Sequence, residues 1–199
     1  MILNDTDILG LTKSNLLEPF SVSQLSGATY DVTLDDVIHE ISATSDIVNL
    51  NDQSFIDDLY VERDISEGYL IKPNQFILGT LKEKVTLPDD VVACILPRTR
   101  FTRLGLIVSG QYCNPSYSGR LQIGILNASP NNISIVKGLS IAQLIFARLE
   151  SAPSSERLYK NQRTSAYQDE DEFIGAKFDN ELSPESRRIY DRMVAELLG

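Results

Sequence analysis

Two stretches of the 199-residue chain carry residue types that can do chemistry. The first, "LPRTRFTRLG" from Leu96 to Gly105, gathers Arg98, Arg100 and Arg103 with Thr99 and Thr102. Guanidinium groups stay charged and offer planar forks of donors, so several of them with hydroxyls in one short segment suit a phosphate chain. The same residues suit a solvated basic edge paired with surplus carboxylates, because surface ion pairs are common and weak. The second stretch, "QYCNPSYSGRLQIGILN" from Gln111 to Asn127, reads as a turn feeding an alternating strand, and it contains no acidic residue. A catalytic pocket built on that turn has no acid or base of its own.

The elements that position these stretches follow from composition and pattern. Hydrophobic residues make up 42% of the chain and charged residues 23%, ordinary values for one substantial globular domain with appendages. A formal charge of −10, from 28 acidic against 18 basic residues, repels nucleic acid backbones and anionic membranes and excludes both as expected partners. A free nucleotide still fits a local basic pocket. No segment approaches the roughly 18 uninterrupted apolar residues of a membrane span. The start "MILNDTDILGLTKS" lacks a basic and then apolar leader, so a cytoplasmic location is expected. Two separated cysteines, Cys94 and Cys113, and a single histidine, His39, make neither a disulfide framework nor a zinc cage.

Asn4 and Asp5 are candidate caps of a short helix within residues 2–20. From Ala28 the pattern turns to short strands at about ten-residue spacing, bounded by Gly, Pro, Asn and Ser, which predicts an antiparallel sandwich or jelly roll. "ASPNN", Ala128 to Asn132, reads as a hairpin loop between two of them. After Glu150 the chain becomes polar and short of aliphatics, as expected for an arm draped over something else. Ser183 as N-cap and Pro184 at the first helical position open a C-terminal helix with Ile189, Met193, Val194 and Leu197 on one face. The expected organisation is a β domain over 1–150, an arm over 151–182 and a helix over 183–199 that offers a surface to a protein partner.

The order "PRTRFTRLG", "NPSYSG", Asn127 and "GLSIAQLIF" resembles the dCTP deaminase and dUTPase family. "MILNDTDI", "GATYDVTL" and "LYKNQRTSAYQ" are similar to its deaminase branch, so the likeness spans most of residues 1–170. The resemblance implies a mainly β fold, a distorted antiparallel β-barrel or jelly roll of the dUTPase-like type with a short N-terminal helix and a C-terminal helix. It also implies a homotrimer with sites at subunit interfaces, each taking a pyrimidine deoxynucleoside triphosphate with Mg2+, the arm covering the nucleotide.

Carried over by resemblance, Arg98 and Gln143 are triphosphate contacts, Thr99 stands where the deaminases have a serine beside the reacting base, and Arg103 matches their active-site arginine. Tyr117 and Tyr159 are nucleoside and phosphate contacts; a strand polar group and ordinary strand packing remain open readings of Gln143 and Tyr117. Arg100 replaces a second small hydroxyl residue and either adds charge to the phosphate grip or fills its space. The general-base glutamate expected five residues past the "SG" of the turn is Gly124, the turn aspartate is Asn114, and the small residue after its proline is Ser116. On the arm, Ala166 stands where the deaminases carry a lysine, with Lys160 and Arg163 as nearby cations.

Deamination at C4 needs a water stripped of a proton and an ammonia given one, and losing such a group typically lowers the rate by about 10² to 10⁴. The acidic run "DEDE", Asp169 to Glu172, lies on the arm, whose closure is one way to complete a site. Four readings follow: a dCTP deaminase-like hydrolase working with an altered set of groups, a dUTPase-type pyrophosphohydrolase, a pseudoenzyme that binds nucleotide as a sensor or regulator, and a structural trimer that binds partners through its last helix.

Overall fold

The computed structural model describes residues 1–178 and 182–198; residues 179–181 of the expected arm and Gly199 lie outside the described residues. The chain opens with α1 (Asp5–Thr12), where Asn4 accepts from the Asp7 N–H and Asp7 accepts from the Asn4 N–H, a reciprocal capping box. Then come β1 (Leu17–Glu18), β2 (Tyr30–Ile41), α2 (Gln53–Asp57), β3 (Tyr60–Asp64), β4 (Tyr69–Ile71), β5 (Phe76–Thr86) and β6 (Val91–Pro97). After them follow α3 (Thr99–Leu104), β7 (Leu106–Val108), β8 (Gln111–Cys113), β9 (Ser118–Asn127), β10 (Ile133–Ile135), β11 (Ser140–Arg148) and α4 (Pro184–Leu198).

Nine strands form one antiparallel sheet, ordered β7-β9-β5-β2-β11-β6-β8, with β1 added to β5 and β3 to β2. The sheet curls into a half-barrel, and β2 shows why. Its first residues pair with β11, its later ones with β5 and β3, and its register with β5 shifts between Leu34 and Ile38. A bulge adds a residue on one strand and increases its twist, which bends the sheet around the core. Alternation then sets the inside: Ile77, Leu81 and Val85 of β5 and Leu121, Ile123 and Ile125 of β9 are buried on one face. Each such side chain contributes roughly 1.5–3 kcal/mol on leaving water. One carboxylate, Glu83, shares this interior because it accepts from the Thr33 N–H, the Thr33 hydroxyl and the Gln24 amide.

The expected hairpin at "ASPNN" does not form. β9 and β10 are not partners; β10 pairs instead with β4, Ile133 opposite Ile71. The reason is Asn127, whose amide donates to the Ile71 and Asn131 carbonyls while its oxygen accepts from the Ser129 N–H and hydroxyl, folding the loop across to β4. At the C-terminus Ser183 caps α4 through the Ser186 N–H, and Ile189, Met193 and Leu197 on its apolar face are exposed.

Candidate functional site

The turn after β8 is held by its backbone. Tyr117 N–H donates to the Asn114 carbonyl and Ser116 N–H to Pro88, and Ser116 sits at φ +68°, a left-handed conformation unusual for a side chain other than Gly or Asn. The Ser116 hydroxyl accepts from the Lys160 N–H, and Tyr159 N–H donates to the Pro115 carbonyl, so the turn anchors the start of the arm. Further on, Asp169 N–H donates to Ser118, Arg120 N–H donates to Glu170, and Gly119 and Glu170 form a parallel bridge. β7 covers only the far end of β9, Ile125 to Asn127, which leaves the edge at 118–120 for the arm to complete.

Between this turn, the outer face of β5 and β9, and the arm lies a cavity of about 550 Å3, within the range of small-molecule sites. Asn114, Tyr117 and Tyr159 line it, with Phe76, Gln122 and Phe173. The Tyr117 and Tyr159 rings are 5.8 Å apart and tilted by 58°, and burial raises both phenol pKa values. The Tyr117 hydroxyl is buried without a hydrogen-bond partner. Cys113 is buried in the same wall, where burial pushes its thiol up to about 12, an inert state.

The only ionisable carboxyl in the cavity lining, among the described residues, is Glu170, 4% exposed. Burial raises it to about 7, partly offset by the Ile174 N–H, which donates to its Oε1 at 2.9 Å. Its only sequence-level signal was its place in the acidic run of the arm.

Gly124 leaves no hole. A Cβ there would meet Cε2 and Cζ of Phe76 at 2.8 Å and the Ser109 hydroxyl at 3.3 Å, so the space a longer side chain would need is filled by an aromatic ring. Ser109 closes the strand on the other side, accepting from the Gly124 N–H and donating its own N–H to the Gly124 carbonyl.

The cationic residues lie elsewhere. Arg98, at the start of α3, pairs with Asp31 at 2.9 Å and donates to the Ser140 carbonyl. Gln143 of β11 sits opposite Asp31 and Leu96 in the ladder, so Arg98, Asp31 and Gln143 form one group. Thr99, Arg100 and Arg103 are exposed on α3, which ends at Gly105, φ +85°, where a Cβ would strike Ser129 at 2.9 Å. None of these residues lines the cavity. Ala166 is half-buried in the arm, the Lys160 ammonium is held by Asp89, and Arg163 is exposed. Among the described residues, no group of three or more His, Cys, Asp or Glu side chains is placed to hold a metal ion. No helix among them is long and apolar enough to cross a membrane.

A curled antiparallel half-barrel with a C-terminal arm over a cavity defines a class of mainly β proteins. The dCTP deaminase-like family model matches residues 2–149, and the chain belongs to that family. It is 32% identical over 163 residues to a dUMP-forming dCTP deaminase of Sulfurihydrogenibium, covering 80% of this chain and 89% of the relative. To a dCTP deaminase of Haloarcula marismortui it is 30% identical over 177 residues, covering 84% and 90%. Among solved structures, the 2'-deoxycytidine 5'-triphosphate deaminase of Agrobacterium tumefaciens shares the fold, with a TM-score of 0.61 at 23% identity over 73% of this chain; the match spans 47% of that chain.

Proposed function

We propose that the protein binds a pyrimidine deoxynucleoside triphosphate, dCTP first among them, in the metabolism of pyrimidine deoxynucleotides in the cytoplasm. The nucleoside occupies the arm-covered cavity against Tyr117 and Tyr159, with Asn114 at its mouth. Arg98 and Gln143 hold the triphosphate, with Thr99, Arg100 and Arg103 beside it. The observation that carries this reading is the separation of the two groups: the cavity has no cation in its lining, and Arg98, Arg100 and Arg103 all lie outside it. A homotrimer in which one subunit supplies the cations and its neighbour the cavity resolves that separation. An apolar row runs across three strands for such a contact, with Ile107 and Phe76 exposed on either side of the half-buried Leu126.

Mg2+ enters with the nucleotide, its ligands the phosphate oxygens and water. Among the described residues no cluster of His, Cys, Asp or Glu is placed to hold a resident metal, so the ion is proposed to come with the phosphates.

A second reading is favoured by Phe76 over Gly124: a nucleotide sensor without chemistry at the strand position. Isothermal calorimetry with dCTP and dUTP plus Mg2+, together with light scattering, tests the proposal. Saturable binding by a trimer is expected, weakened about 10- to 100-fold by Arg98→Ala through loss of charge-assisted hydrogen bonds. A monomer that binds neither nucleotide overturns it. Binding without product over hours supports the sensor.

A further inference from the structure

We infer that Glu170, delivered by the C-terminal arm, is the proton-transfer group of the nucleotide site and acts as its acid and base in place of a carboxylate at residue 124. The inference rests on the nucleotide reading above and deepens it.

The geometry isolates this carboxyl. The Arg120 N–H donating to the Glu170 carbonyl, the neighbouring Asp169 N–H donating to Ser118, and the bridge to Gly119 fix the Glu170 main chain beside β9, so the side chain is placed by the sheet although it belongs to the arm. The Ile174 N–H holds Oε1, and Oε2 makes no hydrogen bond to the described residues. The unpartnered Tyr117 hydroxyl and the Glu170 N–H meet over Gly119, 2.6 Å and 3.1 Å from where a Cβ of that residue would stand. Tyr117 and Glu170 both belong to the cavity lining, and a buried carboxyl there together with a buried phenol that has unused hydrogen-bonding capacity suits a polar ligand atom or an attacking water. A carboxyl raised to about 7 by burial is populated in both protonation states near neutrality, which suits a group that must take and return a proton.

The reaction balances on one water and one residue. Glu170 takes a proton as the water oxygen bonds to C4 of the aminopyrimidine and the C4–N3 π pair moves to N3, and Glu170 gives that proton to N3. It then takes the proton of the new C4 hydroxyl and passes it to N4. The C4–N4 bond breaks, ammonia leaves, and C4 keeps a carbonyl beside N3–H. Glu170 ends as it began, and no further reactant is consumed.

The test uses the full chain with dCTP and Mg2+, following ammonia and uracil nucleotides by chromatography and binding by calorimetry. Glu170→Gln is neutral like the buried acid and keeps an oxygen for the Ile174 N–H, so it is expected to bind dCTP as the parent does. Its kcat should fall about 10²- to 10⁴-fold, and the limb of the kcat–pH profile near 7 should vanish. Glu170→Asp, which keeps the acid but withdraws it by one methylene, should show a smaller loss, and Glu172→Gln, an exposed acid two residues on, none. A Glu170→Gln variant as active as the parent, or a parent that binds dCTP and releases no ammonia, overturns the inference while leaving nucleotide binding intact. A parent that binds no nucleotide overturns both.

Discussion

The ring of Phe76 lies over Gly124 across the β5–β9 ladder, close enough that any side chain at 124 would start inside it. In register Phe76 faces Leu126, and Gly124 is its diagonal neighbour, within reach of an aromatic side chain. The position where the resemblance to the deaminases places a carboxylate is therefore one where an aromatic ring from the neighbouring strand uses the space.

Gly124→Glu should accordingly destabilise the fold by about 1–3 kcal/mol through overpacking, since the ring must leave its position. Adding Phe76→Ala should restore much of that loss, and urea unfolding of both single variants and the double variant measures the coupling. Additive effects would show that the ring does not hold the position. The same double variant, with Asn114→Asp, is the fair background for asking whether a strand carboxylate supports deamination.

Much of the β framework was legible because it rests on alternation and punctuation. β2, β5, β9 and β11 follow their apolar patterns, and Asn4 and Ser183 cap the helices their residue types announced. α3 was not legible: "TRFTRL" is too short to show a period, and only Gly105 at its end marks it. The pairing of β10 with β4 depends on one buried side chain, Asn127, which holds its own loop through Ser129 and Asn131 and ties it to Ile71, far away in sequence. In the site, Asn114, Tyr117 and Tyr159 could be named from their order along the chain. Glu170 and Phe76 could not be ranked, because a buried carboxyl and a ring over a glycine are facts of packing.

Asn127 gives a stability prediction independent of nucleotide. It is 0% exposed, and Asn127→Ala leaves the Ile71 carbonyl and the Ser129 donors without their partner, a loss of about 3 kcal/mol for buried unsatisfied groups. Asn127→Asp keeps the acceptor, removes both donors and buries a charge, so it should be worse. Chemical denaturation ranks the three proteins. An alanine variant as stable as the parent would mean that the loop is not held through this residue.

Two titrations of opposite sign bear on the arm, one from His39 of β2 and one from its own Glu170. His39 stacks on Phe173 with centroids 3.5 Å apart, and burial lowers its pKa below 6.5, against a smaller raising effect of Glu62. Its contribution to stability is present above that ordinary value and is lost as pH falls through the lowered one. Glu170 is raised from 4.5 to about 7, so its contribution is full below 4.5 and is lost as pH rises through 7. Because His39 is the chain's single histidine, its ring proton can be followed by NMR without assignment. Phe173→Ala should move its titration up toward 6.5, and Glu170→Gln should abolish the alkaline loss of hydrogen-exchange protection at residues 165–176 while leaving the acid-side loss in place. An unchanged His39 titration in Phe173→Ala would show that the ring does not bury it, and an alkaline loss that survives in Glu170→Gln would assign the opening of the arm to another group.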